Sequence, residues 1–183
     1  MPELRITTGT AKNKRLKTPD IPGFRAVQEV AKSAVFSIIG DKVEGAVCLD
    51  LFAGSGNLGL EALSRGADWC DFVDASKESA DAISANILNC GFFDRAEVFW
   101  KEAVKYVKVC KKKYDLVFMD PFYKDTAQKH LFNILDNITQ PSTIIVFMLD
   151  SKLEHPAVAN LEKYSTIADR RFGETRLIIK IRT

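Results

Sequence analysis

Leu49-Asp50-Leu51-Phe52-Ala53-Gly54-Ser55-Gly56-Asn57-Leu58-Gly59-Leu60 decides the fold of this chain. The apolar run ending at Phe52 reads as a buried strand, the glycines as a tight loop, and the residues from Asn57 as a helix start. Gly54 to Gly59 satisfies the G-x-G-x-x-G pattern in the strand–loop–helix setting that gives the pattern meaning. Glycines turn the backbone tightly and leave no Cβ between it and a ligand. The helix start offers free N–H groups and a positive dipole end, suited to a carboxylate or a phosphate.

Outward from this stretch the pattern alternates. Strands are expected at 47–52, 71–74, 96–100, 116–119 and 143–149. Between them come helices at 57–65, at 79–89 ending on Gly91, over the lysine-bearing segment after Trp100, and near 127–138. Such β-α-β alternation implies a parallel sheet covered on both faces, because parallel neighbours need long crossovers. The tail differs: residues 164–170 and 175–181 flank Phe172-Gly173-Glu174 as a hairpin. The fold class is therefore α/β, a Rossmann-like sheet, mostly parallel, with a C-terminal antiparallel hairpin. Val27, Val30, Ala31, Ala34, Val35, Ile38 and Ile39 recur at helical spacing before Gly40. Ahead of that helix, residues 4–8 and 15–17 flank a turn over 9–14 as a small basic hairpin arm. Residues 1–25 are expected to form this arm and residues 26–183 the main domain.

The chain has 183 residues, enough for one sizeable core, and its 46% hydrophobic and 27% charged content is that of an ordinary globular protein. No apolar stretch suggests a membrane span, and the start Met1-Pro2-Glu3-Leu4-Arg5 lacks a signal peptide's apolar core, so the cytoplasm is the expected location. Cys48, Cys70, Cys90 and Cys110 lie far apart with no histidine near them, which argues for reduced core thiols and against a metal. His130 and His155, the only histidines, lie in unrelated segments, which argues against a histidine-based triad. The net charge of +2 hides an asymmetry. Residues 1–25 carry six basic side chains against Glu3 and Asp20, and residues 101–113 carry six lysines against Glu102 alone. Two basic segments on an acidic body can attract a polyanion, or serve only as solvated surface.

Asp74 ends the strand after the glycine loop, where an acid accepts from ribose hydroxyls. Up to this point NAD and S-adenosylmethionine fit equally. Three details favour the methyl donor. Asp50 suits the amino group of a methionine moiety and would repel a pyrophosphate. Glu102 follows the third strand, where it can accept from adenine's exocyclic amine. The tetrapeptide Asp120-Pro121-Phe122-Tyr123, at the end of the fourth strand, makes a grip for a flat, amino-bearing ring and has no task in hydride transfer. The alternative is that Asp50 and Asp74 are strand-end turn residues and Glu102 a helix-start acid with no ligand.

With both motifs in view, the chain resembles the S-adenosylmethionine-dependent amino-group methyltransferases, and among them the RsmD-type 16S ribosomal RNA guanine-N2 methyltransferases. The likeness runs through the arm at 4–19, Gly23-Phe24-Arg25, residues 50–67, Asp74, Asn86, residues 114–123 and Gly173-Glu174-Thr175. It implies S-adenosylmethionine held by Asp50, Phe52, Ala53, Gly54, Ser55, Gly56, Asp74 and Glu102. It implies catalysis by Asp120, Pro121 and Tyr123, with Phe122 helping to stack the base. Arg5, Lys12, Lys14, Arg15, Lys17 and Arg25 become candidates for RNA phosphate contacts. The implied partner is ribosomal RNA or the assembling small subunit, met by a monomer without metal or membrane. Phe122 stands where the family carries a second proline, so the loop loses one fixed φ angle. The family's arginine- and acid-rich helix start is reduced to Gln28-Glu29-Val30-Ala31-Lys32-Ser33. Open alternatives are adenine N6 or a protein glutamine as acceptor, an NAD(P)-dependent reductase, and a non-catalytic RNA-binding relative.

Overall fold

Side chains that alternate across each strand divide the interior into two layers, one on each face of a single sheet. The computed structural model describes residues 4–24, 27–121, 128–152, 158 and 161–183. Its elements in chain order are α1 (Glu29–Ile39), β1 (Val47–Leu51), α2 (Asn57–Ser64), β2 (Trp69–Asp74), α3 (Lys77–Cys90), β3 (Ala96–Trp100), α4 (Ala103–Val109), β4 (Tyr114–Met119), α5 (Gln128–Asn133), β5 (Thr139–Asp150), β6 (Tyr164–Phe172) and β7 (Thr175–Arg182). The strand order is β3-β2-β1-β4-β5-β7-β6. The first five strands are parallel, and β7 enters antiparallel between β5 and β6. The expected Rossmann-like sheet with an antiparallel tail is what the chain forms.

Cys48, Phe72, Phe118, Val146 and Ile179 belong to one core layer with Val35 and Phe36 of α1, Leu60 and Leu63 of α2, and Ile83 and Ile87 of α3. Leu49, Val73, Val117, Phe147 and Ile178 belong to the other, with Tyr106 and Val107 of α4 and Leu131 of α5. Cys48 and Cys70 are buried as expected, whereas Cys90 and Cys110 are only half-buried, and all four are free. Among the described residues no helix is long and apolar enough to cross a membrane, and no cluster of three or more ligating side chains could hold a metal ion.

The N-terminal arm is a short hairpin. The Ile6 amide donates to the Lys14 carbonyl at 2.9 Å, the Leu16 amide to the Leu4 carbonyl at 2.8 Å, and Arg5 bridges Arg15 antiparallel. Ile6, Ala11 and Leu16 are buried in the first core layer, so the arm shares the interior of the body that follows it. Its anchor is Glu61, which is fully buried on α2. Glu61 accepts from the Thr7 amide at 2.9 Å, the Thr7 hydroxyl at 2.7 Å, the Thr8 amide at 3.1 Å and Arg65 Nε at 2.9 Å. Lys32 of α1, 1% exposed, lies 3.1 Å away and also donates to the Arg5 carbonyl at 2.7 Å. The one lysine in the reduced helix start thus faces inward and holds the arm.

Candidate active site

Three carboxylates meet at the C-terminal ends of β1, β2 and β4. Asp50 is in register with Phe72 and Phe118 on its two neighbouring strands. Asp74 and Asp120 stand two residues past those phenylalanines, which returns them to the same face of the sheet about 7 Å nearer its edge. Period-two geometry therefore collects acids that lie 24 and 46 residues apart in the chain.

Asp50 is 2% exposed, and one of its oxygens accepts from the Gly59 amide of α2 at 2.9 Å. Here it fastens the glycine loop's helix to β1. Burial pushes its carboxyl well above the ordinary range, the Gly59 bond opposes that, and Asp120 and then Asp74 raise it further. Asp74 is 9% exposed and accepts from the Gly54 amide and the Ser76 amide, both at 2.9 Å. It joins the glycine loop to the turn after β2, and each oxygen keeps a lone pair for a hydroxyl. Asp120, half-buried at the end of β4, has its carboxyl pushed up to about 7 by loss of water. Pro121 beside it is buried.

The loop between β1 and α2 is held by its own backbone. Phe52 takes a left-handed φ of 60°, uncommon for a side chain of this size, and turns the chain off β1. The Ala53 amide reaches the Val73 carbonyl at 3.1 Å, and the Gly56 amide closes on the Ala53 carbonyl at 2.7 Å. Ala53, Ser55 and Gly56 are buried. Gly54 has φ 58°, and a Cβ there would come within 2.9 Å of the Phe24 ring, so Phe24 lies directly over the loop. A Cβ on Gly59 would stand 2.4 Å from the Phe72 ring and 2.7 Å from Cys70 Sγ, so its absence lets α2 approach β2.

Glu102 follows one strand further out at the same edge, where Trp100 is in register with Asp74 and the Lys101 amide donates to the Asp74 carbonyl at 2.9 Å. It is the N-cap residue of α4, largely exposed, and its carboxylate pairs with Lys105 at 2.9 Å. The arm residues Arg5, Lys12, Lys14, Arg15 and Lys17 are exposed, with Arg5 3.3 Å from Glu29. Arg25, Phe122 and Tyr123 lie outside the described residues. Two residues given no role from the sequence touch the site. One is Phe24. The other is Asn86, whose side-chain amide donates to the Ser55 carbonyl at 2.9 Å and exchanges bonds with the Lys17 backbone at 2.7 and 2.9 Å. Its signal was there to read: a lone amide on the buried stripe Ala82, Ile83, Asn86, Ile87 of α3.

A buried Asp50 raised further by the carboxylates of Asp120 and Asp74 calls for a positive ligand. S-adenosylmethionine carries an ammonium and a sulfonium, so it fits. A dinucleotide would bring a pyrophosphate among the carboxylates and does not.

Known proteins agree. The family described as Conserved hypothetical protein 95 matches residues 4–181. The chain belongs to this RsmD-type methyltransferase family. It is 30% identical over 177 residues to Ribosomal RNA small subunit methyltransferase D of Haemophilus influenzae, covering 93% of this chain and 90% of the relative. To YlbH of Bacillus subtilis it is 31% identical over 158 residues, 84% and 86% of the two chains. The solved structure of yhhF from Escherichia coli superposes with a TM-score of 0.85 over 98% of each chain at 25% identity. As an RsmD-type protein the chain is a methyltransferase with S-adenosylmethionine as its methyl donor.

Proposed function

We propose that this enzyme methylates the exocyclic N2 of a guanine in small-subunit ribosomal RNA. The observation that carries the reading is Asp120: a carboxylate at the tip of β4, on the same face as Asp50 and Asp74 and close enough to raise the former's pKa. The relatives named as small-subunit ribosomal RNA methyltransferases support the acceptor.

Guanine N2 is a weak nucleophile because its lone pair is delocalised into the ring. Hydrogen bonds from the amine to the Asp120 carboxylate and the Pro121 carbonyl favour a more tetrahedral nitrogen and direct its lone pair. Bound S-adenosylmethionine supplies an electrophilic methyl on a positively charged sulfur. As the nitrogen becomes cationic, Asp120 is placed to take its proton, and a carboxyl titrating near 7 suits that task. No metal is needed, because the methyl arrives already activated. Tyr123, with Phe122, stacks on the base, worth about 1–3 kcal/mol. The base must be unpaired or flipped out to reach this edge.

For the cofactor, Asp74 would accept from the ribose, and Phe52, Ala53, Gly54, Ser55, Gly56 and Asp50 would hold the methionine moiety. Glu102 serves the adenine only after leaving Lys105. Residues 1–25, through Arg5, Lys12, Lys14, Arg15, Lys17 and Arg25, contact phosphates, and residues 26–183 carry out the reaction as a cytoplasmic monomer. The test is transfer of tritiated methyl to small-subunit RNA and particles from cells lacking the protein, followed by nucleoside analysis. N2-methylguanosine is expected. Label in N6-methyladenosine, or in protein, would overturn the acceptor.

A further inference from the structure

A second basic surface lies at the opposite end of the sheet from Asp120. Between the end of α4, the start of β4 and the turn before β5 is a shallow concavity of about 620 Å³ lined by Lys108, Lys111, Lys113, Asp136 and Asn137, among others. Lys113 Nζ donates to the carbonyls of Asp136 at 2.7 Å and Asn137 at 3.1 Å. The Asp136 carboxylate is matched by Lys163 and by Arg182, whose Nη2 is 3.2 Å away. Lys108 and Lys111 are exposed and have no carboxylate within 4 Å among the described residues. Three lysines thus line the concavity beside one acid whose charge Lys163 and Arg182 already match, which leaves the surface positive.

Exposed charges are matched in pairs at Lys77 with Asp81 and at Arg176 with Asp169. Here they are not, and unmatched like charges repel one another in the folded state. The surface is open, with no enclosed cradle for a small anion. Flexible lysine stems spread over an open surface make point-charge contacts that suit a phosphate backbone.

We infer that this concavity docks the phosphate backbone of a second RNA segment, folded against the one that presents the target base. The inference rests on RNA being the acceptor. β4 spans six residues, about 20 Å, between the concavity and Asp120. A short single strand bound at the catalytic edge does not also cover the far end, whereas a folded RNA or a particle does. The enzyme would therefore select folded substrate by touching it on two sides.

The test compares wild type with the double variant Lys108→Glu/Lys111→Glu, whose side chains touch neither core nor cleft. Binding of folded small-subunit RNA and of a short single-stranded RNA containing guanine is titrated across a salt series, with cofactor binding measured alongside. The variant should bind folded RNA at least ten-fold more weakly, with a salt slope shallower by about 1–2, given roughly 0.7–0.9 per lost phosphate contact. Its affinity for the short strand and for S-adenosylmethionine should not change. An unaltered slope on folded RNA, or equal losses on both RNAs, overturns the second site while leaving the acceptor intact. If wild type binds neither RNA, the acceptor reading itself fails, and this inference with it.

Discussion

Replacing Glu61 with alanine tests what holds the arm in place. Glu61 is fully buried and takes five interactions: two backbone amides and a hydroxyl from Thr7 and Thr8, Arg65 and Lys32. Burial pushes its carboxyl up, but Lys32, Thr7 and Arg65 together pull it net below the ordinary value. Without it, Lys32 is left in the interior with the Arg5 carbonyl and the Asn57 side chain as partners and only the exposed Glu29 as a nearby negative charge. Breaking a buried pair from one side costs about 3–5 kcal/mol. That is a large part of the 5–15 kcal/mol typical of a whole domain. Urea unfolding followed by fluorescence should show a loss of this size, and hydrogen exchange should show the Ile6, Thr7 and Thr8 amides losing protection first. Combining Glu61→Leu with Lys32→Met removes both charges and should recover part of the loss. A change below about 1 kcal/mol, with the arm amides still protected, would refute the argument that this pair anchors the hairpin. Because the folded-state carboxyl is depressed, its contribution is complete above about 4.5 and should disappear as pH falls through the lower folded value.

Asp120 predicts the opposite pH behaviour. Its folded value near 7 lies above the ordinary 3.8, so the folded state binds more protons between these limits, and stability should fall as pH rises from about 4 to about 7. Asp120→Asn should accordingly be more stable than wild type at pH 8, an advantage that shrinks at lower pH, while methyl transfer is lost; thermal unfolding across pH and a turnover assay read both. Asp120→Ala should also abolish transfer yet keep cofactor affinity, and unchanged turnover would remove it from the mechanism. Asp74→Ala releases the Gly54 and Ser76 amides, and calorimetry should show cofactor binding weakened at least ten-fold, about 1.4 kcal/mol or more. Gly59→Ala forces a methyl against Phe72 and Cys70 and should cost about 1–3 kcal/mol, partly recovered by Phe72→Leu; an unchanged melting temperature would contradict the close α2–β2 approach.

Some strands were legible to their ends: Ala96–Trp100 falls on the expected boundaries although Glu97 interrupts its apolar run. β5 was not. It begins at Thr139, four residues before the expected start, because Gln140, Pro141 and Ser142 swing out of register between Tyr114↔Thr139 and Leu116↔Ile144, with Ser142 at φ 74°. A proline and two polar residues carry no strand signal even when the chain returns to pairing. β6 runs on through Phe172 because its hairpin partner supplies hydrogen bonds that its charged residues do not advertise. The helix expected near 127–138 contracts to Gln128–Asn133 and a separate 3-10 turn at Leu135–Asn137. In the site, the three acids were readable from strand ends. Their bonds to Gly59, Gly54 and Ser76 were not, since a backbone amide leaves no mark in sequence. The Lys32–Glu61 pair was hidden by distance along the chain, and the Glu102–Lys105 pair went unread although the two lie only three residues apart.

Asn86 ties the backbone of Lys17 to the loop at Ser55, while Ile6 and Leu16 sit among the apolar residues behind it. The hairpin is therefore no detachable module. Clipping it off would strip Asn86 of its Lys17 partners and open the first core layer, so the glycine loop would lose support along with the arm.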